Sequence, residues 1–420
     1  MITQYPPMGN SGANPIYVQL DGDQVDAFGR LRISQPYTLF DSQARYAKDT
    51  AYSYYTSGTG GNSYNTNKSS VNLSVGTGVG TSIAQTYRVF PYQPGKSLLT
   101  MQTFTMASAR TNLNQKIGYF NDNNGVFFMQ SGSTLSFTIR TYTGGSVSDA
   151  NTVTQANWNG DKLDGTGPSG ITLDVTKTQI LFFDFEWLGV GTVRCGFIIN
   201  GVYINCHTFN NANSTQTTVY MQTAILPLRY EINATGTVTD TPVLQQICST
   251  VISEGGYEQI SQDYTARQTT AVSLGTSGTF YPLVSIRLNS SYLGAVVIPM
   301  GSQFVPVSGT ATYEIVLVKN ASLTGATWAS TLSGGQVDVD IAATAFGTQP
   351  SGDAIVEHFY ATASNQGTSI ATSPAGYNWD LQLGVAYGAT SSDTYTLGVR
   401  GIFSASPTCL GAINFFNLTV

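Results

Sequence analysis

The segment from Thr192 to Asn210 constrains the fold more than any other part of the sequence. Asn200-Gly201 lies at its centre and predicts a two-residue type I′ turn, because both central residues of such a turn need a positive φ. A turn of this length also fixes the register of the two strands. We expect an apolar face with the cross-strand pairs Ile199–Val202, Phe197–Ile204, Cys195–Cys206 and Val193–Thr208. The wetter face would hold the pairs Ile198–Tyr203, Gly196–Asn205 and Arg194–His207.

Cys195 and Cys206 would form a hydrogen-bonded pair in this register, with Cα atoms about 5.5 Å apart. That separation is within reach of a disulfide. Both residues lie on the expected core face, however, where a free cysteine packs as a small apolar side chain. We therefore favour two buried thiols. Four cysteines in 420 residues do not make a disulfide framework, and none has a spacing typical of zinc ligands.

The composition argues against several classes of protein. Only 10% of the residues are charged, compared with roughly 25% in an ordinary soluble protein. The surface must therefore be rich in neutral polar residues, which are easily buried against other copies of the chain. The net charge of −6 and the lack of a basic stripe argue against a nucleic-acid partner. The sequence contains no apolar run of about 18 residues, so membrane insertion is not predicted, and the first residues do not resemble a secretory signal.

Short β-prone runs, separated by clusters of Gly, Asn, Asp and Pro, follow one another along most of the chain. They include a second hairpin over 117–129 and a strand over 179–187 with one buried face. The pattern predicts an all-β protein with two antiparallel β-sandwich domains, whose strand spacing resembles jelly rolls of the lectin or laminin-G type. We expect an extended N-terminal arm (1–45), a first sandwich (46–250), a linker with room for a short helix (251–267) and a second sandwich (268–420). Gly76–Gly80 lacks the Lys-Ser/Thr of a P-loop, and we expect a plain loop there.

The predicted arm is too apolar to remain free in water and too short to build a core. We expect it to dock on another surface, either in this chain or in a neighbouring copy. An ordinary first strand of the first sandwich is the alternative. The predicted docking residues are Asp26, Phe28, Arg30, Leu31, Arg32, Leu39, Phe40 and Asp41.

Two segments of the arm also resemble a known signature. Asp26-Ala27-Phe28-Gly29-Arg30-Leu31-Arg32-Ile33-Ser34 and Thr38-Leu39-Phe40-Asp41-Ser42 resemble the N-terminal signature of a family of virion structural proteins from tailed bacteriophages, many of them predicted from marine and cyanobacterial phages. Residues 185–213 and Leu226-Pro227-Leu228-Arg229-Tyr230-Glu231-Ile232 extend the resemblance. It implies a protein of the virion, assembled in the host cytoplasm, with capsid or tail proteins as partners. It implies no catalytic residues.

The sequence is poor in acid–base chemistry, since it contains only two histidines, His207 and His358. If the strand over 179–187 lies beside the hairpin, Asp184, Glu186, Arg194 and His207 would form a polar cluster. A solvated or interfacial ion network is the first interpretation, and a sugar or ion contact is the second. A catalytic triad is the weakest, because the nearby cation would depress the basicity of the histidine.

Other candidate sites are weaker. Asp338 and Asp340 are spaced like a glycosidase pair, but any solvated strand face gives the same pattern. Glu357-His358 lies within another predicted strand. Asp21-Gly22-Asp23 with Asp26 lacks the spacing of a calcium-binding EF-hand. Aromatic residues that could stack on a sugar, or equally fill the core, are Trp158, Tyr203, Trp328 and Trp379.

The sequence as a whole predicts a structural protein and not an enzyme, with no cofactor and no metal. We expect it to dock through its arm on a capsid or tail and to assemble with copies of itself, as a homotrimer. The alternative is a receptor-binding tail fibre or appendage that recognises host surface glycans.

Overall fold

In a computed structural model the chain is described over residues 35–214, 217–258, 260–364, 370–371 and 379–419. The protein is all-β, as predicted, and these residues form strands and short 3₁₀ turns but no α-helix. The strands of the first half are β1 Tyr37–Gln43, β2 Tyr52–Asn65, β3 Ser70–Thr86, β4 Leu98–Thr105, β5 Leu113–Phe120, β6 Gly125–Ser131, β7 Thr134–Thr141, β8 Ser148–Thr154, β9 Gln179–Phe185, β10 Val193–Ile199, β11 Val202–Phe209, β12 Leu228–Ala234 and β13 Val243–Ser253. A 3₁₀ turn, Gln155–Asn157, follows β8.

The thirteen strands of the first half form one antiparallel sheet in the order β11-β10-β9-β4-β13-β3-β12-β5-β6-β7-β8, with β1 beside β13 and β2 beside β3. The sheet curls so that its two ends meet. The ring centroid of Phe197 in β10 lies 5.2 Å from that of Phe128 in β6 and 6.2 Å from that of Phe137 in β7. Apolar residues on the inner face thus form one aromatic core, and the opposite face, here called the outer face, remains for other contacts.

The predicted hairpin is β10–β11, and its register is correct as far as Gly196–Asn205 and wrong beyond that pair. A β-bulge at Cys206 shifts the pairing, so that Cys195 faces His207, Arg194 faces Thr208 and Val193 faces Phe209. The bulge forms where the backbone N–H groups of Gly160 and Asp161 donate to the carbonyls of Cys206 and Asn205, at 2.8 and 3.0 Å. Cys195 and Cys206 are both buried, unbonded thiols, as favoured from the sequence.

Two other expectations change in the first half. Gly76–Gly80 lies inside β3 and not in a loop, because β2 and β3 form a long hairpin whose bulge accommodates Thr59 near Gly78 and Gly80. Residues 37–43 of the predicted arm form β1, which pairs with β13. The alternative of a first strand in the sandwich therefore holds for this segment.

The second half contains the strands β14 Gln262–Arg267, β15 Val272–Ser273, β16 Tyr281–Leu288, β17 Val297–Ser308, β18 Thr310–Lys319, β19 Leu323–Thr324, β20 Trp328–Leu332, β21 Val337–Asp340, β22 Ala345–Phe346, β23 Ile355–Ser364, β24 Ile370–Ala371, β25 Thr394–Ile402 and β26 Thr408–Asn417. Its 3₁₀ turns are Ser290–Tyr292, Ser333–Gly335, Gly352–Ala354 and Trp379–Leu381. The segment expected to hold a linker helix is extended instead, since Val251–Ser253 belong to β13 and 262–267 form β14.

Two antiparallel sheets pack face to face in the second half. One has the order β20-β21-β16-β25-β18-β23, and the other β14-β26-β17-β24 with β15 beside β26. Their shared core includes Ile286 and Leu397 from the first sheet and Phe304 and Phe415 from the second. The small pair β19–β22 covers a separate apolar cluster on the outside of the six-stranded sheet.

Residues 379–389 of the second half contact the first half directly. The backbone N–H of Val385 donates to the carbonyl of Tyr87 at 2.8 Å, and Gln382 donates through Nε2 to the carbonyl of Val89 at 3.0 Å. Arg88 forms an ion pair with Asp380 at 3.3 Å. Loops of both halves therefore meet at this junction.

Candidate functional site

Five outward-facing side chains of β4, β9, β10 and β11 form a contiguous apolar patch on the outer face of the first sheet. Tyr203 and Ile180 are both direct cross-strand partners of Ile198, and Phe182 is a direct partner of Met101. We call this patch the hairpin face; its members are Met101, Ile180, Phe182, Ile198 and Tyr203. Tyr203 is 54% exposed and Ile180 is 37% exposed, so these two side chains are the part of the patch that is open to solvent.

The absence of a side chain at Gly196 shapes this face. A Cβ at Gly196 would lie 2.8 Å from the ring of Phe182 and 2.0 Å from the carbonyl oxygen of Ile204. Only glycine therefore lets Phe182 lie flat across β10, where it is almost completely buried. Tyr203 packs edge-on against Phe182, with ring centroids 5.2 Å apart, and its hydroxyl lies 3.7 Å from the sulfur of Met101. The tyrosine ring is thereby held in place while remaining exposed.

A polar group borders the hairpin face, and it contains half of the predicted cluster. Asp184 and Arg194 are cross-strand partners, and their side chains form an ion pair at 2.5 Å. Ser97 donates to the other carboxylate oxygen of Asp184. Glu254 lies at the same border, since its backbone N–H donates to the carbonyl of Ser97 at 2.8 Å. Burial and then the Asp184 carboxylate raise the pKa of Glu254, while Arg194 acts in the opposite direction.

The other two predicted members lie elsewhere. Glu186 is beyond the end of β9, where its carboxylate accepts from the backbone N–H of Thr192 at 3.3 Å. His207 follows the bulge and turns toward the interior, and its Nδ1 accepts from the backbone N–H of Asn159 at 3.2 Å. Burial lowers the pKa of His207. The one-residue shift at Cys206 explains this outcome, because it removes His207 from the position facing Arg194.

Asp338 and Asp340 are buried rather than solvated, and hydrogen bonds occupy both carboxylates. Asp338 accepts from Arg287, Asn289 and Ser330. Burial opposes its charge, but these three donors hold its pKa below the usual range. Asp340 accepts from the backbone N–H groups of residues 327, 342 and 343. Both carboxylates therefore stabilise the local fold, and neither is positioned like a glycosidase acid or base.

The remaining candidates divide between core and surface. Trp158 is a core residue, 2% exposed, whose ring packs against Phe137 with centroids 4.7 Å apart. Trp328 lies under the guanidinium of Arg287 at 4.2 Å. Trp379 donates through Nε1 to the hydroxyl of Tyr37 at 3.1 Å. Tyr203 alone of the four belongs to the exposed hairpin face.

The described docking residues are mostly internal. Leu39 and Phe40 are each 3% exposed and belong to the aromatic core, so the surface that they contact lies within this chain, one of the two surfaces that the sequence left open. Regular alternation would place these two consecutive residues on opposite faces, but the pairing of β1 with β13 shifts between Thr38 and Phe40, and this irregularity lets both side chains be buried. Asp41 is exposed. Asp26, Phe28, Arg30, Leu31 and Arg32 lie outside the described residues, as does the turn at Asp21-Gly22-Asp23.

The described residues contain no group of three or more His, Cys, Asp or Glu side chains arranged to hold a metal ion. Over the same part of the chain, no helix has the length and apolarity required to cross a membrane.

No protein-family model matches the chain, and no curated protein matches it. Among solved structures, the chain is similar to the carbohydrate recognition domain of Emp47p, with 7% identity over 57% of this chain and 100% of that chain and a TM-score of 0.33. It is also similar to a legume lectin-like domain from Entamoeba histolytica, with 10% identity over 47% of this chain and 89% of that chain and a TM-score of 0.30. The CBM2 module of the evolved Dit from Lactobacillus casei BL23 phage J-1 has 5% identity over 54% of this chain and 100% of that module, with a TM-score of 0.34. These neighbours are lectin-like carbohydrate-binding domains, and the likeness concerns the general β-sandwich architecture.

Proposed function

We propose that this chain is a structural protein of a bacteriophage particle and assembles with its neighbours through the hairpin face. The observation behind this proposal is the makeup of that face, in which one aromatic and one aliphatic side chain are exposed, a methionine and a second isoleucine are half-buried, and the Asp184–Arg194 pair lies at the border. An apolar centre enriched in aromatic residues and methionine, with a polar rim, is the typical anatomy of a protein interface. The resemblance of the arm and of residues 185–213 and 226–232 to phage virion proteins supports the particle as its location.

A charge placed at the centre of the hairpin face tests the assembly. Ile180→Glu should convert an oligomer, a trimer in our proposal, into monomers, because an unpaired carboxylate cannot be buried in an apolar contact. Val147→Glu is the matched control, since Val147 is also exposed, at 47%, but lies in the loop before β8, outside the hairpin face. Light scattering after gel filtration measures the mass. Monomeric wild-type protein, or an Ile180→Glu variant that retains the wild-type mass, would contradict this use of the face.

The particle location needs its own measurement. Quantitative mass spectrometry of purified virions gives the copy number relative to the major capsid protein. A ratio near one supports a shell-covering role, and a small fraction supports the tail, collar or a vertex. Absence from the particle would overturn the virion proposal.

Recognition of host surface glycans is the second candidate, and the exposed ring of Tyr203 favours it. Sugars pack their C–H faces on aromatic rings, and Phe182 holds this ring in position. On a glycan array, Tyr203→Ala should abolish the signal, while Tyr46→Ala, which removes an even more exposed tyrosine (86%), should leave it unchanged. Equal signals from wild type and Tyr203→Ala would exclude the hairpin face as the glycan site.

A further inference from the structure

The segment Leu226–Ile232 has a second role that its resemblance to phage proteins does not explain. Leu226, Leu228, Tyr230 and Ile232 are fully buried in the aromatic core. Arg229 points to the outer face and is buried there as well, with its side chain 2% exposed. Burial of a guanidinium costs free energy unless hydrogen bonds and opposite charges replace the lost water, so the contacts of Arg229 must supply both.

Arg229 is held on all sides. Its charge lies between two rings, 4.9 Å from the ring centroid of Phe120 and 4.7 Å from that of Tyr387. Nε donates to the side-chain oxygen of Gln85 at 2.8 Å, and Nη1 donates to Asp122 at 2.7 Å. Tyr387 belongs to the second half of the chain, so the two halves together fix this guanidinium.

A cavity of about 270 Å³ opens beside Arg229 at the junction. Five segments from both halves line it together with Arg229: 85–87 with Val89 at the end of β3, 121–123 after β5, Ile225 with Pro227 before β12, 293–294 and 385–389. The volume is slightly below the range of roughly 300–1,000 Å³ typical of small-molecule sites, which occur preferentially between domains. The cavity, here called the junction cleft, therefore fits a single small molecule.

The loop that carries the polar groups of the junction cleft is fixed before any ligand arrives. Asn121 Oδ1 accepts from the backbone N–H groups of Asn123 and Asn124, at 2.9 and 2.8 Å. Asn124 is buried, and its Oδ1 accepts from the backbone N–H of Gln222 at 3.0 Å. Asp122 is tied to Arg229 but remains 65% exposed. Its carboxylate is thus both positioned and accessible.

The charges beside the junction cleft balance. Asp122 pairs with Arg229, Arg229 also reaches Glu231 at 3.4 Å, and Glu231 pairs with Lys116 at 2.9 Å. Two carboxylates and two cations therefore alternate in one chain of ion pairs, and their charges sum to zero. A balanced set of charges favours neither an anionic nor a cationic ligand, so the ligand that fits this chemistry is neutral.

The lining also has two characters. Ile225, Pro227 and Leu293 supply apolar surface, and Asp122 and Asn123 supply a carboxylate and an amide. A pyranose matches this mixture, because it has an apolar C–H face and a rim of hydroxyl groups that both donate and accept. We propose that the junction cleft binds one neutral sugar residue, whose hydroxyl groups donate to Asp122. This inference is independent of the virion role and of any glycan contact at Tyr203.

The test uses the full-length protein and a panel of single sugars, namely glucose, galactose, mannose and N-acetylglucosamine, in saturation-transfer NMR titrations. One of them should bind saturably. Asp122→Asn should weaken it about tenfold, because the sugar hydroxyl then donates to a neutral amide oxygen instead of a charged carboxylate. Asn123→Trp should block it, since residue 123 is an exposed loop position next to the cavity.

The matched control is Asp149→Asn. Asp149 is also an exposed aspartate paired with a mostly buried arginine, Arg140, at 2.8 Å, but it lies outside the junction cleft. This variant should bind the sugar as the wild type does. Absence of saturable binding by any of the four sugars would overturn the proposal, as would equal weakening by Asp122→Asn and Asp149→Asn. Loss in Tyr203→Ala alone would move the sugar to the hairpin face and also overturn it.

Discussion

Two arginine–aspartate pairs on the outer face of the same sheet have opposite distributions of exposure. At the hairpin face the arginine is exposed and the aspartate is covered, with side-chain exposures of 58% for Arg194 and 12% for Asp184. At the junction cleft the arginine is covered and the aspartate is exposed, with 2% for Arg229 and 65% for Asp122. The same two functional groups therefore present an exposed cation at one place and an exposed carboxylate at the other.

The difference follows from what covers each pair. Only the edge of the curled sheet surrounds Arg194, whereas the second half places Tyr387 over Arg229. A flexible charged side chain beside an apolar patch can adapt to different protein partners. A carboxylate held by a buried guanidinium is preorganised for one ligand geometry. This contrast fits the two proposals, assembly at the hairpin face and small-molecule binding in the junction cleft.

Truncation of the two arginines should give the largest contrast. Arg229→Ala leaves Glu231 without one of its cations and opens a cavity between two rings, and it should reduce the free energy of unfolding by about 3–5 kcal/mol. Gln85 would also lose its donor. Denaturant unfolding followed by tyrosine and tryptophan fluorescence measures the change. A loss below about 1 kcal/mol, typical of an exposed pair, would show that Arg229 is not compensated as described.

Gly196→Ala tests whether the hairpin face depends on the missing side chain. The new methyl group would collide with the carbonyl of Ile204 and with the ring of Phe182, and the free energy of unfolding should fall by about 1–3 kcal/mol. Gly144→Ala is the control, because a Cβ at Gly144 meets nothing within 4 Å. Equal melting temperatures for the two variants would mean that β10 and Phe182 can rearrange freely.

Arg194→Ala should have a much smaller effect on stability, at most about 1 kcal/mol, since solvent screens the exposed guanidinium. The effect should decrease further in high salt. If the hairpin face is an interface, the same variant should weaken assembly more than it weakens the fold. Thermal unfolding and gel filtration at two salt concentrations separate these outcomes. A stability loss comparable to that of Arg229→Ala would remove the contrast between the pairs.

Local sequence signals predicted the fold as far as local interactions determine it. Asn200-Gly201 set the register of β10–β11 correctly for the first four pairs, because the turn alone controls them. The register failed at Cys206 because the loop around Gly160 bonds to that backbone, and no local pattern reveals such a contact. The sequence left open whether Leu39 and Phe40 would pack within this chain or on a neighbouring copy, because a sequence cannot tell a core of its own from a partner's surface.

The sites divide in the same way. Asp184 and Arg194 were predicted to meet because adjacent strands and alternation place them side by side. Ser97 and Glu254 were missed because they come from the ends of β4 and β13, which the sheet order brings to the same border. Arg229 had a detectable signal, namely a charge between the core residues Leu228 and Tyr230. Its partner Tyr387 lies in the other half, and only the folded chain brings the two together.

The smallest expected effect is a pH dependence of stability, and it arises from Glu254 at the border of the hairpin face. Burial raises the pKa of Glu254 in the folded protein above the ordinary value of 4.5. The unfolded chain therefore ionises first as the pH rises. The contribution of this carboxyl to stability is fully present below about pH 4.5 and is lost as the pH passes through the higher folded-state pKa.

Glu254→Gln should therefore raise the melting temperature slightly at pH 7 and leave it unchanged at pH 4. The gain stays small because the carboxyl is partly exposed and Arg194 lies nearby. Glu258→Gln removes a more exposed carboxyl, with a side-chain exposure of 76%, and is the control. If the difference in stability between Glu254→Gln and the wild type is more unfavourable at pH 7 than at pH 4, the prediction is wrong. In that case the attraction of Arg194 for the ionised carboxylate outweighs both burial and the repulsion from Asp184. The border of the hairpin face would then be a balanced ion network like that of the junction cleft, and the distinction between the two surfaces would rest on exposure alone.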